Sequence, residues 1–530
     1  MIPRYPEFFN DVFGPVMQPG SSSHFAGPCR IGLLAASLLG EEPERVEFVL
    51  DPEGTYAGIF GHMNEDLGLI GGVLGLGPED PRLFDARELA VSRRVDASFV
   101  LERISESTHP NAVKIRSRGR SGKRVELVGD STGGGMVELR AVQGFPVSFT
   151  GDSYVLLDFC TRGRTSRPDP AIILESGVSE LSDARMMYWY KLSRSPEVRP
   201  PESLVLAPIL PVPSLPGRKP QLFDTMVSWR ALAEKQGTGL YEVALRYEEA
   251  ASCWPRERII AAMRSIARLL DRQVRVVYDE DIPVPESPDR RRDDRIWPLY
   301  ESRGPTLGGS VMATVIKRAL GVIVKTPGVP IVPGPMGTGG GYLYSALSAV
   351  RESRGYGEDD LLRGLFIAAG VGAIAYTRSE PTGEVIGCAG ECGLCSAMAS
   401  AAIVEMAGGA PVQVENAASY AIQAAIGLPC DPIPGGREQP CLSRIISAVT
   451  NAISFADLAL AGTDAVLPFH DALEAADRVG RALSPDLRCN GKGGCCATSA
   501  GKRLSEDFDR RRGRSILTSP ETSDELRRPE

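Results

Sequence analysis

The sequence predicts an α+β multidomain protein, with an N-terminal α/β domain followed by a C-terminal all-α domain. Three observations carry that prediction. At 530 residues the chain is too long for one ordinary core. Its first 160 residues alternate helical and extended patterns. From residue 223 onward, apolar residues recur almost throughout at helical spacing.

In the N-terminal part, residues 29–39 read as an amphipathic helix and VEFVL at 46–50 as a strand. Further strands are expected at 112–115, 125–128, 136–141 and 154–157, punctuated by the glycines of STGGGMVEL and a QGF turn. Residues 161–220 are rich in Pro, Ser and Arg. The stretch PPESLVLAPILPVPSLPGRKP has linker composition, and ARMMYWYKL is a short extended segment, the remnant of a small module. Helices are expected at 223–235, 239–251, 256–272, 308–320, 341–353, 359–376, 396–407, 412–426, 443–462 and 469–483. The expected boundaries are therefore 1–160, 161–220, 221–505, and a charged tail at 506–530.

Hydrophobic residues make up 43% of the chain and charged residues 24%, with a net charge of -8. That is the composition of a soluble globular protein. No long basic stripe is present, so nucleic acid is not an expected partner. Arg510, Arg511, Arg512 and Arg514 lie among acidic residues and read as a solvated tail. The longest apolar run, 364–376, falls short of the roughly 20 residues that span a bilayer. The N-terminus carries no basic-then-apolar leader. The expectation is a cytoplasmic protein without a membrane partner. Eleven cysteines in a reducing compartment point to metal or catalysis rather than to disulfides.

The strongest chemical signal is GCAGECGLC at 387–395 followed by GLPCDPIPGGREQPC at 427–441. Thiolates are the favoured ligands of iron–sulfur clusters, and a Pro/Gly loop between Cys430 and Cys441 can curl around a bulky ligand. A single free cysteine is as readily a small buried hydrophobe. Several, each beside Gly or Pro, favour metal. A zinc site would want a second tight pair to match Cys392 and Cys395, and none is nearby. A second signal is GPVMQPGSSSHFAGPCRIG at 14–32, where Ser21, Ser22, Ser23 and His24 precede a helix. Such a run can cradle an anion, or simply cap a helix. PGPMGTGGGYL at 333–343 lacks the ending of a phosphate-binding P-loop.

These motifs together resemble the iron–sulfur L-serine dehydratase family. The resemblance rests on Gly387-Cys388, on GLPCDP with forty-one residues between its cysteine and Cys388, on the Pro-Cys ten residues beyond, and on SAMASAAIVEMAGGAPVQ at 396–413. The N-terminal part is similar to the family's β domain through SSSHFAG, GHMNEDLGLIGGVLG at 61–75, HPNAVKI at 109–115 and GDSTGGGMVELRAVQGF at 129–145. The resemblance spans about 8–160 and 223–505. It implies an allosteric-substrate-binding-like fold for the first part and the catalytic function for the helical one.

The resemblance implies a 4Fe-4S cluster held by Cys388, Cys430 and Cys441, with one iron open to substrate, and no pyridoxal phosphate. It implies His24 as the base for the α-proton and His62 as an acid or orienting group. His109 also falls on a family motif, whereas His470 reads as a surface residue. Ser21, Ser22, Ser23, Thr338 and Arg488 are the implied substrate contacts. The reaction would be α,β-elimination from L-serine or a related β-substituted amino acid, giving a 2-oxo acid and ammonia. Elimination from L-cysteine or a larger amino acid, and a non-catalytic iron–sulfur sensor, are the alternatives. Relatives suggest a homodimer.

The departures from the family pattern concern the substrate shell. Phe25 follows His24 where a threonine is usual. Met336 replaces a threonine, residues 378–382 read Arg-Ser-Glu-Pro-Thr, and Arg488 is followed by Cys489 instead of Glu. Cys392, Cys489, Cys495 and Cys496 are surplus thiols, any of which could ligate the fourth iron.

Overall fold

The computed structural model describes residues 5–160, 167–181, 185–197, 199–200, 203–279, 293–326, 328–334, 339–433, 440–512 and 517–518. The chain forms two compact units. The first takes 23–218 and the C-terminal end, and the second takes 5–22 and 219–512.

The first unit is built on α1 (Gly27–Leu39), β1 (Pro43–Leu50), the single turn α2 (Thr55–Gly58), α3 (Glu65–Val73), α4 (Ala86–Ser92), β2 (Asp96–Leu101), β3 (Ala112–Gly119), β4 (Arg124–Gly133), β5 (Met136–Val142) and β6 (Phe145–Phe149). The strands join in one sheet ordered β2-β1-β3-β4-β5-β6, with Leu517 and Thr518 pairing at the β2 edge. β1 and β2 run parallel, and the pairs from β1/β3 to β5/β6 are antiparallel. Apolar residues at alternate strand positions place Val46, Phe48, Ile115, Leu127 and Leu139 in the core with Ile31 and Leu34 of α1. Phe48 stacks on Phe99 at 4.8 Å.

Helices α1 and α3 pack through glycine. A Cβ on Gly72 would lie 2.1 Å from the Cys29 carbonyl oxygen, and one on Gly32 would lie 2.7 Å from that of Leu69. Absent side chains let the two backbones meet, so the GLIGG run of α3 is a packing motif.

The described part of 161–220, expected as a Pro-rich linker or the remnant of a module, joins the expected strand at 154–157 in a second sheet. β7 (Tyr154–Cys160), β8 (Ile173–Glu180), β9 (Met186–Leu192) and β10 (Leu204–Leu206) form a second sheet ordered β10-β7-β9-β8. Its strands β7, β9 and β10 bring Leu157, Met187 and Leu206 into the first unit's core. Prolines dominated the composition here, but they fall between strands, where no ladder bond is lost.

The second unit contains α5 (Met226–Gln236), α6 (Leu240–Ser252), α7 (Arg256–Asp279), α8 (Asp293–Glu301), α9 (Gly309–Ile323), α10 (Gly339–Arg354), α11 (Glu358–Arg378), the short α12 (Gly383–Ile386), α13 (Cys392–Met406), α14 (Pro411–Gln423), α15 (Cys441–Leu460), α16 (Phe469–Ala482) and α17 (Ser499–Arg512). The ten expected helices all appear, each with ends shifted by a few residues or fewer, apart from a longer α7. At its centre α13 touches α10, α11, α14 and α15. Every residue of α13 except Glu405 is buried. Its Gly, Ala and Ser content lets four helices approach it closely, and a helix apolar on all sides has no face to give to water. α11 is long and apolar enough to cross a membrane by length and composition, and 78% of its most apolar window is buried in the protein.

Residues 5–22, expected in the first domain, pack with the helices instead. The Phe8 amide donates to Glu248 Oε2 at 2.8 Å, its ring stacks on Tyr247 at 5.2 Å, and Met17 and Ile331 exchange backbone hydrogen bonds. Aromatic anchors without a periodic pattern gave no domain signal in the sequence.

Replacing Gly72 with Ala is expected to destabilise the first unit by about 1–3 kcal/mol through overpacking. Gly77→Ala, with no atom within 4 Å of the added methyl, is the neutral control. Amide exchange in α1 and β4 measures both, and equal protection would refute the packing argument.

Candidate active site

The candidate site within the helical unit is assembled where α13 begins. Four thiols there are almost fully buried: Cys388 at 4%, Cys392 at 3%, Cys430 at 7% and Cys489 at 3% exposure. They come from three separate stretches of chain, and the backbone ties those stretches together. The Cys388 amide donates to the Leu428 carbonyl at 2.9 Å, the Cys430 amide to Leu487 at 2.9 Å, and the Cys489 amide to Cys430 at 2.6 Å. Cys430 and Arg488 form an isolated parallel bridge. Gly387 makes the first tie possible. Its φ is +71°, and a Cβ there would lie 2.3 Å from the Leu428 carbonyl oxygen.

The thiols form two neighbouring pairs. Cys392 donates from its thiol and its backbone amide to the Cys388 sulfur, and the Arg444 guanidinium is close by. Those contacts hold the Cys388 thiol below its ordinary range, with the Cys392 hydrogen bond as the largest cause. The Cys430 thiol is pushed up, first by its hydrogen bond with Cys489 and then by burial. Cys441 opens α15 and lies within electrostatic reach of Cys392 and Arg444. The Pro/Gly loop expected to curl between Cys430 and Cys441 falls outside the described residues at 434–439.

Carboxylates crowd the same place. Glu384 is 3% exposed, and one of its oxygens lies within 4.8 Å of Cys489 Sγ. Burial pushes the Glu391 carboxyl well up, and Glu384 beside it adds to the shift. A Cβ on Gly383 would meet Cys430 Sγ at 2.6 Å and Glu391 Oε2 at 3.1 Å, so glycine leaves the room that these two side chains share. Two hydroxyls, Thr382 Oγ1 and Tyr376 Oη, are buried without a hydrogen-bond partner among the described residues, as is Arg488 Nε. Buried polar atoms in that state are the ones a bound polar ligand would satisfy.

Asp431, 3% exposed, organises the far side. It pairs with Arg444 Nη2 at 2.7 Å and accepts from the Cys495 amide at 2.7 Å, while Arg444 Nη1 donates to the Pro429 carbonyl at 2.7 Å. Gly494, at φ +57°, is required here, because a Cβ would sit 2.1 Å from Asp431 Oδ2. Cys496 donates to the Asp431 and Pro432 carbonyls at 3.4 and 3.1 Å, and burial pushes its thiol up to about 11. Cys395 points instead at the Gly339 carbonyl, 3.5 Å away, and burial raises its thiol to about 12. Both are structural thiols.

The donor set suits a soft metal centre: several buried sulfurs, hydrogen bonds onto sulfur, and a fixed cation among them. Glu384, Arg444 and Tyr376 were not singled out in the sequence, whereas Glu391 stands in GCAGECGLC, Asp431 in GLPCDP and Thr382 in the divergent segment 378–382, none of them with a role assigned.

The other expected site residues divide between the units. Ser21 and Ser22 belong to the helical unit, and Ser23 and His24 to the sheet unit. In the sheet unit, His24 is fully buried, its Nδ1 2.9 Å from Ser23 Oγ and its ring edge-on to Tyr56 at 5.3 Å. The Tyr56 hydroxyl donates to the Ser23 carbonyl at 2.9 Å, fixing the turn that presents the imidazole. His62 is half-buried. His109 accepts the Asn111 amide at Nδ1, 3.0 Å away, which is a turn-holding role. His470 is half-buried on α16, with Nε2 3.6 Å from Asp471. Thr338 and Met336 lie outside the described residues.

A family model described as "Serine dehydratase alpha chain" matches residues 235–496. The chain is 34% identical over 206 residues to the L-serine dehydratase alpha chain of Peptoniphilus asaccharolyticus, covering 38% of this chain and 70% of that one. It is 35% identical over 150 residues to the L-serine dehydratase beta chain of the same organism, covering 28% and 67% respectively. It is 34% identical over 200 residues to the probable L-serine dehydratase alpha chain of Bacillus subtilis, covering 37% of this chain and 63% of that one.

Replacing Asp431 with Ala would strand the half-buried Arg444 guanidinium and is expected to cost about 3–5 kcal/mol. Chemical denaturation of the full chain measures it, with Asp431→Asn expected to retain part of the loss. Unchanged unfolding in both would remove Asp431 as the organising group.

Proposed function

This chain belongs to the L-serine dehydratase family, with beta-like and alpha-like parts fused in one polypeptide, and from that premise we propose that it eliminates water from L-serine or a closely related β-substituted amino acid at an iron–sulfur cluster. The observation that carries this reading is the convergence of buried thiols from three stretches of chain beside paired carboxylates at the start of α13. Cys388, Cys430 and Cys441 would hold the cluster, which when bound supplies Lewis acidity for the departing hydroxyl.

The remaining chemistry falls to the protein. The substrate carboxylate needs a fixed cation, and the buried Nε of Arg488 offers a donor that nothing else uses among the described residues. The α-ammonium needs acceptors, and Glu384, Glu391, Thr382 Oγ1 and Tyr376 Oη provide them in the same neighbourhood. The α-proton needs a base, and imidazole suits that work near neutral pH. His24 is the proposed base, held in one orientation by Ser23 and Tyr56, and His62 is the proposed acid or orienting group. Ser21, Ser22, Ser23 and Thr338 are proposed substrate contacts. The product enamine would tautomerise and hydrolyse in water to a 2-oxo acid and ammonia.

Phe25 bears on the choice of substrate. It is 1% exposed and packs against Phe84 at 5.6 Å, so the position after His24 offers no hydroxyl. With that hydroxyl replaced, the proposed substrate is one other than plain serine, such as L-cysteine, threonine or a larger β-substituted amino acid.

Anaerobically reconstituted protein, offered a panel of β-substituted amino acids, is expected to release ammonia and a 2-oxo acid from at least one. Cys388→Ser should abolish both metal loading and turnover, while His24→Gln should keep the metal and lower kcat by about 100-fold or more. Loaded protein that turns over nothing in the panel would refute the lyase reading, and efficient use of L-serine alone would refute the altered shell.

A further inference from the structure

Cys392 opens α13, is 3% exposed, and directs both its thiol and its backbone amide at the Cys388 sulfur. The turn between the two cysteines is closed. The Glu391 amide donates to the Cys388 carbonyl at 3.2 Å, and a Cβ on Gly390 would lie 2.9 Å from the Pro381 carbonyl carbon, so the chain there is packed tight. Two sulfurs therefore meet across one short turn. A disulfide asks for that arrangement: α-carbons about 4.4–6.8 Å apart and side chains that face each other.

The sulfurs of the site are not equivalent as nucleophiles. Cys388 receives the Cys392 thiol, the Cys392 amide and the Arg444 guanidinium, and donors of that kind sustain charge on a sulfur. Cys430 faces Glu391 and Glu384, whose negative charge opposes a thiolate. Cys395 is turned away toward the Gly339 carbonyl. The favoured nucleophile and a second thiol within hydrogen-bonding reach of it are thus adjacent, and the pair recurs at no other described position on α13.

We infer that Cys388 and Cys392 are a redox-modification site, closing into a disulfide in the metal-free protein and thereby withdrawing Cys388 from the iron. The inference rests on the cluster reading above. A peroxide is the fitting oxidant, because both sulfurs are almost fully buried and only a small molecule can reach them. The Cys388 thiolate attacks one peroxide oxygen, the O–O bond breaks, hydroxide leaves, and Cys388 becomes a sulfenic acid. The Cys392 sulfur then attacks the Cys388 sulfur, the S–O bond breaks, and the Cys392 proton leaves with the oxygen as water. Two thiols lose two electrons and one peroxide gains them. Oxidation leaves Cys430 and Cys441 without their third partner, and a dithiol reductant restores it. Iron already bonded to Cys388 blocks the reaction, so the switch governs loading of the metal.

The test uses the full-length chain, reduced and freed of metal. It is treated briefly with hydrogen peroxide, its remaining thiols are alkylated, and the cysteines are mapped by mass spectrometry. Wild-type protein is expected to show Cys388 joined to Cys392, with iron and sulfide uptake lowered about ten-fold or more and recovered on reduction. Cys395→Ser should still form the bond. Cys392→Ala should load iron when reduced and, after peroxide, hold Cys388 as a sulfenic acid that dimedone traps. Oxidised wild-type protein in which both thiols are alkylated, or in which Cys430 is joined to Cys489 instead, would overturn the inference, as would undiminished iron uptake by protein carrying the Cys388–Cys392 bond. Reduced wild-type protein that takes up no iron and sulfide would overturn the cluster reading, while the cysteine map would still decide whether the disulfide forms.

Discussion

Helix α13 has no polar face, and the helical unit is arranged around that constraint. A fifteen-residue helix buried on every side has to be enclosed by others, and α10, α11, α14 and α15 enclose it. The small side chains that make this enclosure tight also fix its start. The N-terminus of α13 is buried, and the backbone amide and thiol of Cys392, its first residue, face the Cys388 sulfur. The positive end of a helix favours negative charge nearby, and a thiolate answers that preference. The site is thus a consequence of core packing: the helix that most needs burial presents its one polar end where the thiols collect.

Backbone hydrogen bonds, more than side chains, bring the other sulfurs to that end. Cys388 is tied to Leu428, Cys430 to Leu487, and Cys489 to Cys430. Each tie fixes the position of a cysteine Cα whatever the sulfur is bonded to. A preorganised set of soft ligands loses little conformational entropy when a metal arrives. Arg444 and Asp431 serve the same end from α15 and the 429–432 segment, because a guanidinium shared between a carboxylate and a carbonyl keeps a permanent positive charge beside the sulfurs. The cost is a cluster of buried carboxylates and thiols that repel one another in their charged forms. Burial, with Glu384 beside it, raises the Glu391 carboxyl, and the hydrogen bond with Cys489, then burial, raises the Cys430 thiol.

How much of this could be read in advance depends on whether a residue acts through its own pattern or through a distant neighbour. The helices of the second unit were legible because burial of one face imposes a 3.6-residue period on the sequence. Cys388, Cys430 and Cys441 were legible because soft-metal chemistry concentrates a rare residue type. The second sheet was legible only in part: β7 and β9 were read as extended, whereas β8, ILESGVSE, has no fully buried residue and few apolar side chains, and the prolines around it resembled those of a linker. The docking of residues 5–22 on the helical unit was hidden for a related reason. Glu248, Tyr247 and Ile331 are far away in sequence, and nothing local in FFNDV announces them.

Among the site residues, Glu384 and Asp431 show the same limit. An acidic residue beside a glycine or a proline is ordinarily a turn or a solvated face, and only tertiary structure shows that these two are 3% exposed. Gly494 shows how a backbone requirement can preserve a motif whose chemistry has changed. Its positive φ and the 2.1 Å approach to Asp431 demand glycine whatever stands at residue 489. The loop that carries Arg488 and Cys489 is therefore held by Asp431 and by Cys430 at its two ends. Between those anchors a side chain can be exchanged without loss of the fold. A thiol at residue 489 is the exchange with chemical consequence, since no other position in that loop is both buried and fastened to a cysteine.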